Sequence, residues 1–168
     1  MKLIINTKNG FSLIEIIVVM LLVGVMAALA GVGYVQVVRG MLFTKMNAAT
    51  IQKGELAMTK LVKEFNNISL SAITAASETS ITFTSIKDGN PIPETTVTKP
   101  DGNDELKYGD DTLTDQVVDF KLAYYDDYNS VGLTTWSTKR KIIEITLKLK
   151  GADDVVSEFK ARVKPRNS

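Results

Sequence analysis

The chain has 168 residues, 45% of them hydrophobic, and 20 basic against 19 acidic side chains give a formal net charge of +1. That length allows one modest folded domain beside a separate apolar segment, and the balanced charge argues against nucleic-acid binding through a broad basic field. There is no cysteine and no histidine, which excludes a disulfide staple and removes the commonest general base, the thiol nucleophiles and the usual zinc ligands.

Residues 1–10 form a short, polar leader in which Lys2 and Lys8 are the only charged side chains. Basic residues ahead of an apolar segment favour a cytoplasmic start. Without the leader, the 20 basic residues fall by these two to 18, against 19 acidic, a net of −1. The leader runs into Gly10-Phe11-Ser12-Leu13-Ile14-Glu15, and an uncharged apolar run follows from Ile16 to Val35. A bilayer core takes about 20 such residues as a helix. Glu15 at the entrance is the anomaly. A carboxylate costs roughly 2.5–3.5 kcal/mol at mid-bilayer on insertion scales, less at the boundary where a side chain snorkels, so an acid there calls for a partner. An ordinary secretory signal is the alternative reading, with Ala28-Leu29-Ala30 as its small-x-small cleavage site; an uncleaved signal anchor is another. Against both, Glu15 falls inside the apolar region and hydrophobicity continues to Val38.

The hexapeptide from Gly10 to Glu15, directly before a spanning run, closely resembles the processing site of type IV pilins and type II secretion pseudopilins. The resemblance is strong from Lys8 to about Val38. It implies that a prepilin peptidase cuts after Gly10, that the new amino terminus at Phe11 is N-methylated, and that Glu15 is retained for filament assembly. Many major pilins carry a proline where this chain has Val32, and many close a C-terminal loop with a disulfide; this chain departs from both patterns. Within the span, Gly24/Ala28 and Ala27/Gly31 are small pairs at i,i+4, which let helices approach closely in lipid. Gly31 and Gly33 weaken helix propensity by about 1 kcal/mol each against alanine.

From Arg39 the pattern turns amphipathic. Ile51, Gly54, Met58, Leu61, Phe65 and Ile68 recur at alternating spacings of three and four, which marks one face of a helix; Ile51, Met58, Leu61 and Phe65 are the expected packing residues. One continuous helix from about Phe11 to Asn66 is predicted, on the order of 80 Å long at 1.5 Å per residue. After Ser69 the texture is strand-like. Ile81 and Phe83 alternate with threonines. Lys87–Pro91 is a turn cluster, residues 94–99 read as a Thr-rich edge strand, and 105–108 as a short strand. Val118, Phe120, Leu122 and Tyr124 alternate with polar neighbours, and 126–133 is a polar loop. Ile143, Ile145, Leu147 and Leu149, then Phe159, Ala161 and Val163, form two strands across the turn 151–154. So short a connection makes them an antiparallel hairpin.

One long helix followed by runs of strands indicates an α+β fold, with the amphipathic half of the helix packed on a C-terminal antiparallel β-sheet. The expected domains are a leader (1–10), a transmembrane and assembly half of the helix (11–38), an amphipathic half (39–70) and a β-sheet head (71–168). This is the architecture the pilin resemblance implies. Val118–Asp126, a following loop with Trp136, and a closing Pro165-Arg166-Asn167 are similar to W-type minor pilins and J-type minor pseudopilins. Asp101, Asn103 and Glu105 are weak candidates for a calcium loop, but Leu106 stands where the EF-hand pattern needs glycine; no cofactor is expected.

The expectation is therefore a structural, non-enzymatic minor pilin or pseudopilin. It is a single-pass inner-membrane protein with a cytoplasmic amino terminus and a periplasmic head, and it joins a filament after processing. Its implied partners are the prepilin peptidase, other pilins or pseudopilins through the N-terminal helix, and an inner-membrane assembly platform; no nucleic acid is expected. A membrane-anchored binding domain that never polymerises is the alternative.

Overall fold

The computed structural model describes residues 10–87, 90–91 and 93–165; the leader 1–9, Asp88 and Gly89 of the turn cluster, and the closing Arg166-Asn167 lie outside the described residues. Helix α1 (Leu13–Asn66) begins behind Ser12, whose carbonyl accepts from the backbone N–H of Glu15 and Ile16. The chain forms two compact units, divided between Leu42 and Phe43. In the first, every described residue is exposed. The helix is long and apolar enough to cross a membrane, and none of its most apolar window is buried. A helix that is apolar all round finds a stable setting in lipid or among other apolar surfaces.

In the second unit the helix has one buried stripe: Thr50, Gly54, Ala57, Met58, Leu61 and Phe65. Ile51 does not join it. It is 42% exposed, because the residue at the stripe's upper edge is Thr50, whose hydroxyl is satisfied by the Met46 carbonyl at 3.1 Å, and Ile51 lies a further 100° round the helix. Gly54 lies against the Phe159 side chain. A Cβ there would lie 2.3 Å from the Phe159 ring, so glycine is what allows this aromatic side chain to seat on the helix. The helix stops at Asn66, and the next N–H, of Asn67, bonds back to Glu64. Ile68 is buried, though as the first residue of a strand rather than as helix.

Among the described residues nine strands follow: β1 (Ile68–Ala76), β2 (Ser80–Lys87), β3 (Asn90–Pro91), β4 (Thr95–Thr98), β5 (Leu106–Tyr108), β6 (Asp111–Thr114), β7 (Val117–Tyr125), β8 (Ile142–Lys150) and β9 (Val156–Val163). They make two antiparallel sheets rather than one, ordered β1-β2-β4-β5-β6, with β3 on β2, and β7-β8-β9. The Thr-rich β4 is interior, between β2 and β5. The Thr82 and Thr96 hydroxyls, 2.9 Å apart, satisfy each other across the strands, which is how a polar strand occupies an inner place.

Val118 is a second departure. Val117 pairs with Leu149 but Asp119 with Lys148, so Val118 is an extra residue in a bulge. Val117 is consequently buried and Val118 is 49% exposed. The strand enters this bulge from Gln116, whose φ of 60° lies in the left-handed region. The β8–β9 hairpin turns through Asp153 and Asp154, both at positive φ, and the Asn47 side chain hooks its backbone by accepting from Ala152 N–H at 2.8 Å.

One core joins both sheets to the helix. Phe65 meets Phe83 edge to face at 5.7 Å, and Phe83 meets Tyr108 at 6.4 Å. Ile143, Ile145, Leu147 and Leu149 of β8 are all fully buried.

Candidate functional site

Gly10 and Phe11 precede the first helical turn and are exposed. A Cβ at Gly10 would meet nothing within 4 Å, so the fold itself places no demand for glycine there. Glu15 lies in the first turn of α1, where the helix dipole favours a negative charge. Phe11 and Glu15 border one shallow groove of about 380 Å³ with Ile16, Val19, Met20 and Val23. The ion pairs among the described residues all involve Lys53 or later positions. Among the described residues Glu15 therefore has no ion-pair partner, at the head of an exposed apolar helix. Gly24 and Gly31 likewise have open space where a side chain would be, so the small pairs are presented outward.

Residues 5–31 match the family model described as a prokaryotic N-terminal methylation motif. The chain carries the N-terminal motif of type IV pilin-like proteins. Its architecture, one long helix against antiparallel sheets, is pilin-like as well. The motif implies prepilin peptidase processing and pilin assembly in general, and with the apolar helix it is consistent with membrane anchoring. No curated protein matches the chain.

The other sequence candidates fall as follows. Met58, Leu61 and Phe65 lie in the core of the second unit, whereas Ile51 does not. Asp101 sits in an exposed turn, the Asn103 carbonyl accepts from Lys99 Nζ at 2.8 Å, and Glu105 accepts from the Thr112 hydroxyl at 3.2 Å. Among the described residues no group of three acidic side chains gathers to hold a metal ion.

Sequence reading missed a charged cluster on the outer face of the β7-β8-β9 sheet. Glu144 is buried and accepts from Arg162 Nε at 2.6 Å and the Tyr125 hydroxyl at 3.2 Å, with Lys160 Nζ at 3.1 Å. Arg162 also stacks over the Tyr125 ring at 4.4 Å and donates to the Tyr128 carbonyl at 3.2 Å. The signal was present in the hairpin register, which sets Glu144 opposite Arg162, but alternation alone makes Glu144 an ordinary solvent-facing residue. Burial opposes ionisation of Glu144, yet the bonds from Arg162 and Lys160, the Lys160 charge and the Tyr125 hydroxyl outweigh it and hold the carboxyl below the ordinary value of 4.5. A carboxyl whose folded pKa is lowered contributes stability that is complete above its unfolded pKa and is lost as pH falls through the folded value. We therefore expect Glu144→Gln to flatten the loss of stability below about pH 4.5, in acid titrations followed by near-ultraviolet circular dichroism; an unchanged acid profile would contradict this coupling.

Proposed function

We propose that this chain is a structural pilin or pseudopilin subunit. It is cleaved after Gly10, methylated on Phe11, and packed through α1 into a type IV pilus or a type II secretion pseudopilus. The observation that carries this reading is the methylation motif at the entrance of a helix whose apolar side chains are exposed all round as far as Leu42. Such a helix gains stability by exchanging lipid neighbours for other helices through van der Waals packing, which its outward small residues assist. On this reading residues 1–10 are the leader, 11–38 the membrane and assembly segment, 39–70 the amphipathic segment ending in the first strand, and 71–168 the head. The amino terminus starts cytoplasmic and the head is periplasmic until the filament forms. On this reading the chain's role is structural, and the peptidase supplies the processing reaction.

A minor role near the filament tip is the finer reading. It is supported by the absence of cysteine and by the segment 118–126, nearly all of it in β7, which precedes a long loop bearing Trp136. The mass of the mature N-terminal peptide tests the core of the proposal: methylated Phe11 is expected, whereas Gly31 would indicate signal-peptide cleavage and Met1 an uncleaved anchor. Because the chain's own fold leaves Gly10 unconstrained, the demand for glycine there comes from the peptidase, which must admit an extended backbone at the membrane edge. Gly10→Val is expected to leave full-length precursor in the membrane on a blot. Normal processing of that variant would place the cut elsewhere.

A further inference from the structure

Among the described residues Glu144 is the only buried acid, and two of its partners also hold the β7–β8 loop, residues 126–141. Arg162 of β9 donates to Glu144 through Nε at 2.6 Å and to the Tyr128 carbonyl through Nη1 at 3.2 Å. Tyr125, the last residue of β7, donates its hydroxyl to Glu144 at 3.2 Å. Its ring lies under Arg162 and so close to Gly132 that a Cβ there would come within 2.5 Å of it. The first half of the loop is therefore fixed by the same two side chains that bind the carboxylate. The second half has attachments of its own: Trp136 packs edge to face on Tyr124 at 5.5 Å, and the Lys141 N–H donates to the Tyr125 carbonyl at 2.9 Å. Between the halves, Leu133 exchanges backbone hydrogen bonds with Tyr124.

The groups that face Glu144 are Tyr125 from β7 and, from β9, Arg162 and Lys160, whose Nζ is 3.1 Å away. The acids of the loop are engaged elsewhere: Asp126 faces Arg140 Nε at 3.8 Å, and Asp127 accepts from the Tyr128 N–H at 2.7 Å. We propose that Glu144 is an acid-sensitive latch: ionised, it fixes Arg162 and Tyr125 and so holds residues 126–133 on the sheet, and protonated, it lets that half of the loop open while the core stays folded. A neutral carboxyl is a weaker acceptor for both donors. The guanidinium and the hydroxyl are then short of a partner, which favours a local opening that hydrates them. In the closed loop burial opposes ionisation of Glu144, but the bonds from Arg162 and Lys160 outweigh it and hold the carboxyl below 4.5. Once the loop opens, the carboxylate meets water and takes a proton more readily. Acid therefore favours the open form, and the latch is at full strength only above about pH 4.5. The device belongs to the head and does not depend on assembly through α1.

Trp136 is the only tryptophan, so its emission in the full chain, held in detergent, reports on the loop. Acidification should shift that emission with a midpoint below pH 4.5 while far-ultraviolet circular dichroism keeps the folded signal. Glu144→Gln mimics the protonated acid. At pH 7 it should already show the emission of the acid form, with no further shift on acidification. Hydrogen-exchange protection at the Leu133 amide should fall about tenfold in this variant, with the amides that join β8 to β9 unchanged. Arg162→Lys keeps a cation but loses the fork that spans Glu144 and the Tyr128 carbonyl; it should loosen the loop in the same way. The wild-type titration and this second variant decide the matter should Glu144→Gln fail to fold. Wild-type emission and protection in the Gln variant at pH 7, or loss of the loop and the sheet in one transition, would overturn the proposal. So would disappearance of the acid shift in Asp126→Asn, which would assign it to the Asp126–Arg140 pair.

Discussion

Replacing Phe65 with alanine is expected to lower the stability of the folded head by about 3–5 kcal/mol, the usual cost of emptying a large aromatic site in a core. Phe65 is fully buried and lies where the last turns of α1 meet the five-strand path of the larger sheet, its ring edge to face with Phe83 at 5.7 Å. The loss therefore has two parts: the apolar surface returned to water on unfolding is smaller, and the aromatic contact disappears. Neighbouring Leu61 and Ile68 are also fully buried, so little can move inward to fill the space. A fall of this size is a large fraction of a typical domain's total stability and corresponds to roughly 10–20 °C in melting temperature. Thermal unfolding of a chain truncated to begin at Arg39 measures it. The same change at Ile51, which is 42% exposed, should cost well under half as much. Equal effects at the two positions would mean that the helix face is assigned wrongly.

Glu15→Gln is expected to abolish co-assembly while leaving cleavage and membrane insertion intact. If the chain is cleaved after Gly10 as proposed, the Phe11 amine is largely cationic at neutral pH, since an α-amino group titrates at about 7.7–8.0. Among packed helices in lipid, that amine and the Glu15 carboxylate both lose water. Either charge alone is costly, whereas a pair offsets part of the desolvation. The two residues border one groove on the same side of α1, which suits a bond within a subunit. Helix α1 begins only at Leu13, however, so Phe11 is not held one helical turn from Glu15 and is free to reach a neighbour's acid instead. A bond between subunits would set the axial register of docking. Glutamine keeps the shape and removes the charge, so the variant isolates electrostatics. Co-purification with other anchor subunits from detergent, beside a blot for processed protein, reads the outcome. Wild-type co-assembly with normal processing would eliminate the charge pair as the mechanism.

Local chemistry determined much of this protein in its sequence. The motif from Gly10 to Glu15, the apolar run behind it, the helix ending at Asn66 and the final hairpin are legible because each depends on neighbours in the chain: an unbroken run of apolar residues, a stripe of period near 3.6, and alternation on both sides of a short turn. Tertiary structure alone decided the rest. The strands divide into two sheets because β7 begins a new pairing after Gln116, and strand partners are not encoded in any single strand's pattern. The Thr-rich β4 became an inner strand because Thr96 found Thr82 across the sheet. Val118 turned outward because a bulge shifted the register by one residue, and in a strand such a shift moves a side chain to the other face. Ile51 remained exposed because the helix meets the sheet over Thr50 and Gly54, where a glycine admits the Phe159 ring. Glu144, which alternation places among solvent-facing residues, became a buried carboxylate because Tyr125, Lys160 and Arg162 converge on it from the strands on either side of β8. Charges on separate strands meet only once the register is set, and that is a property of the folded sheet rather than of the sequence along any one strand.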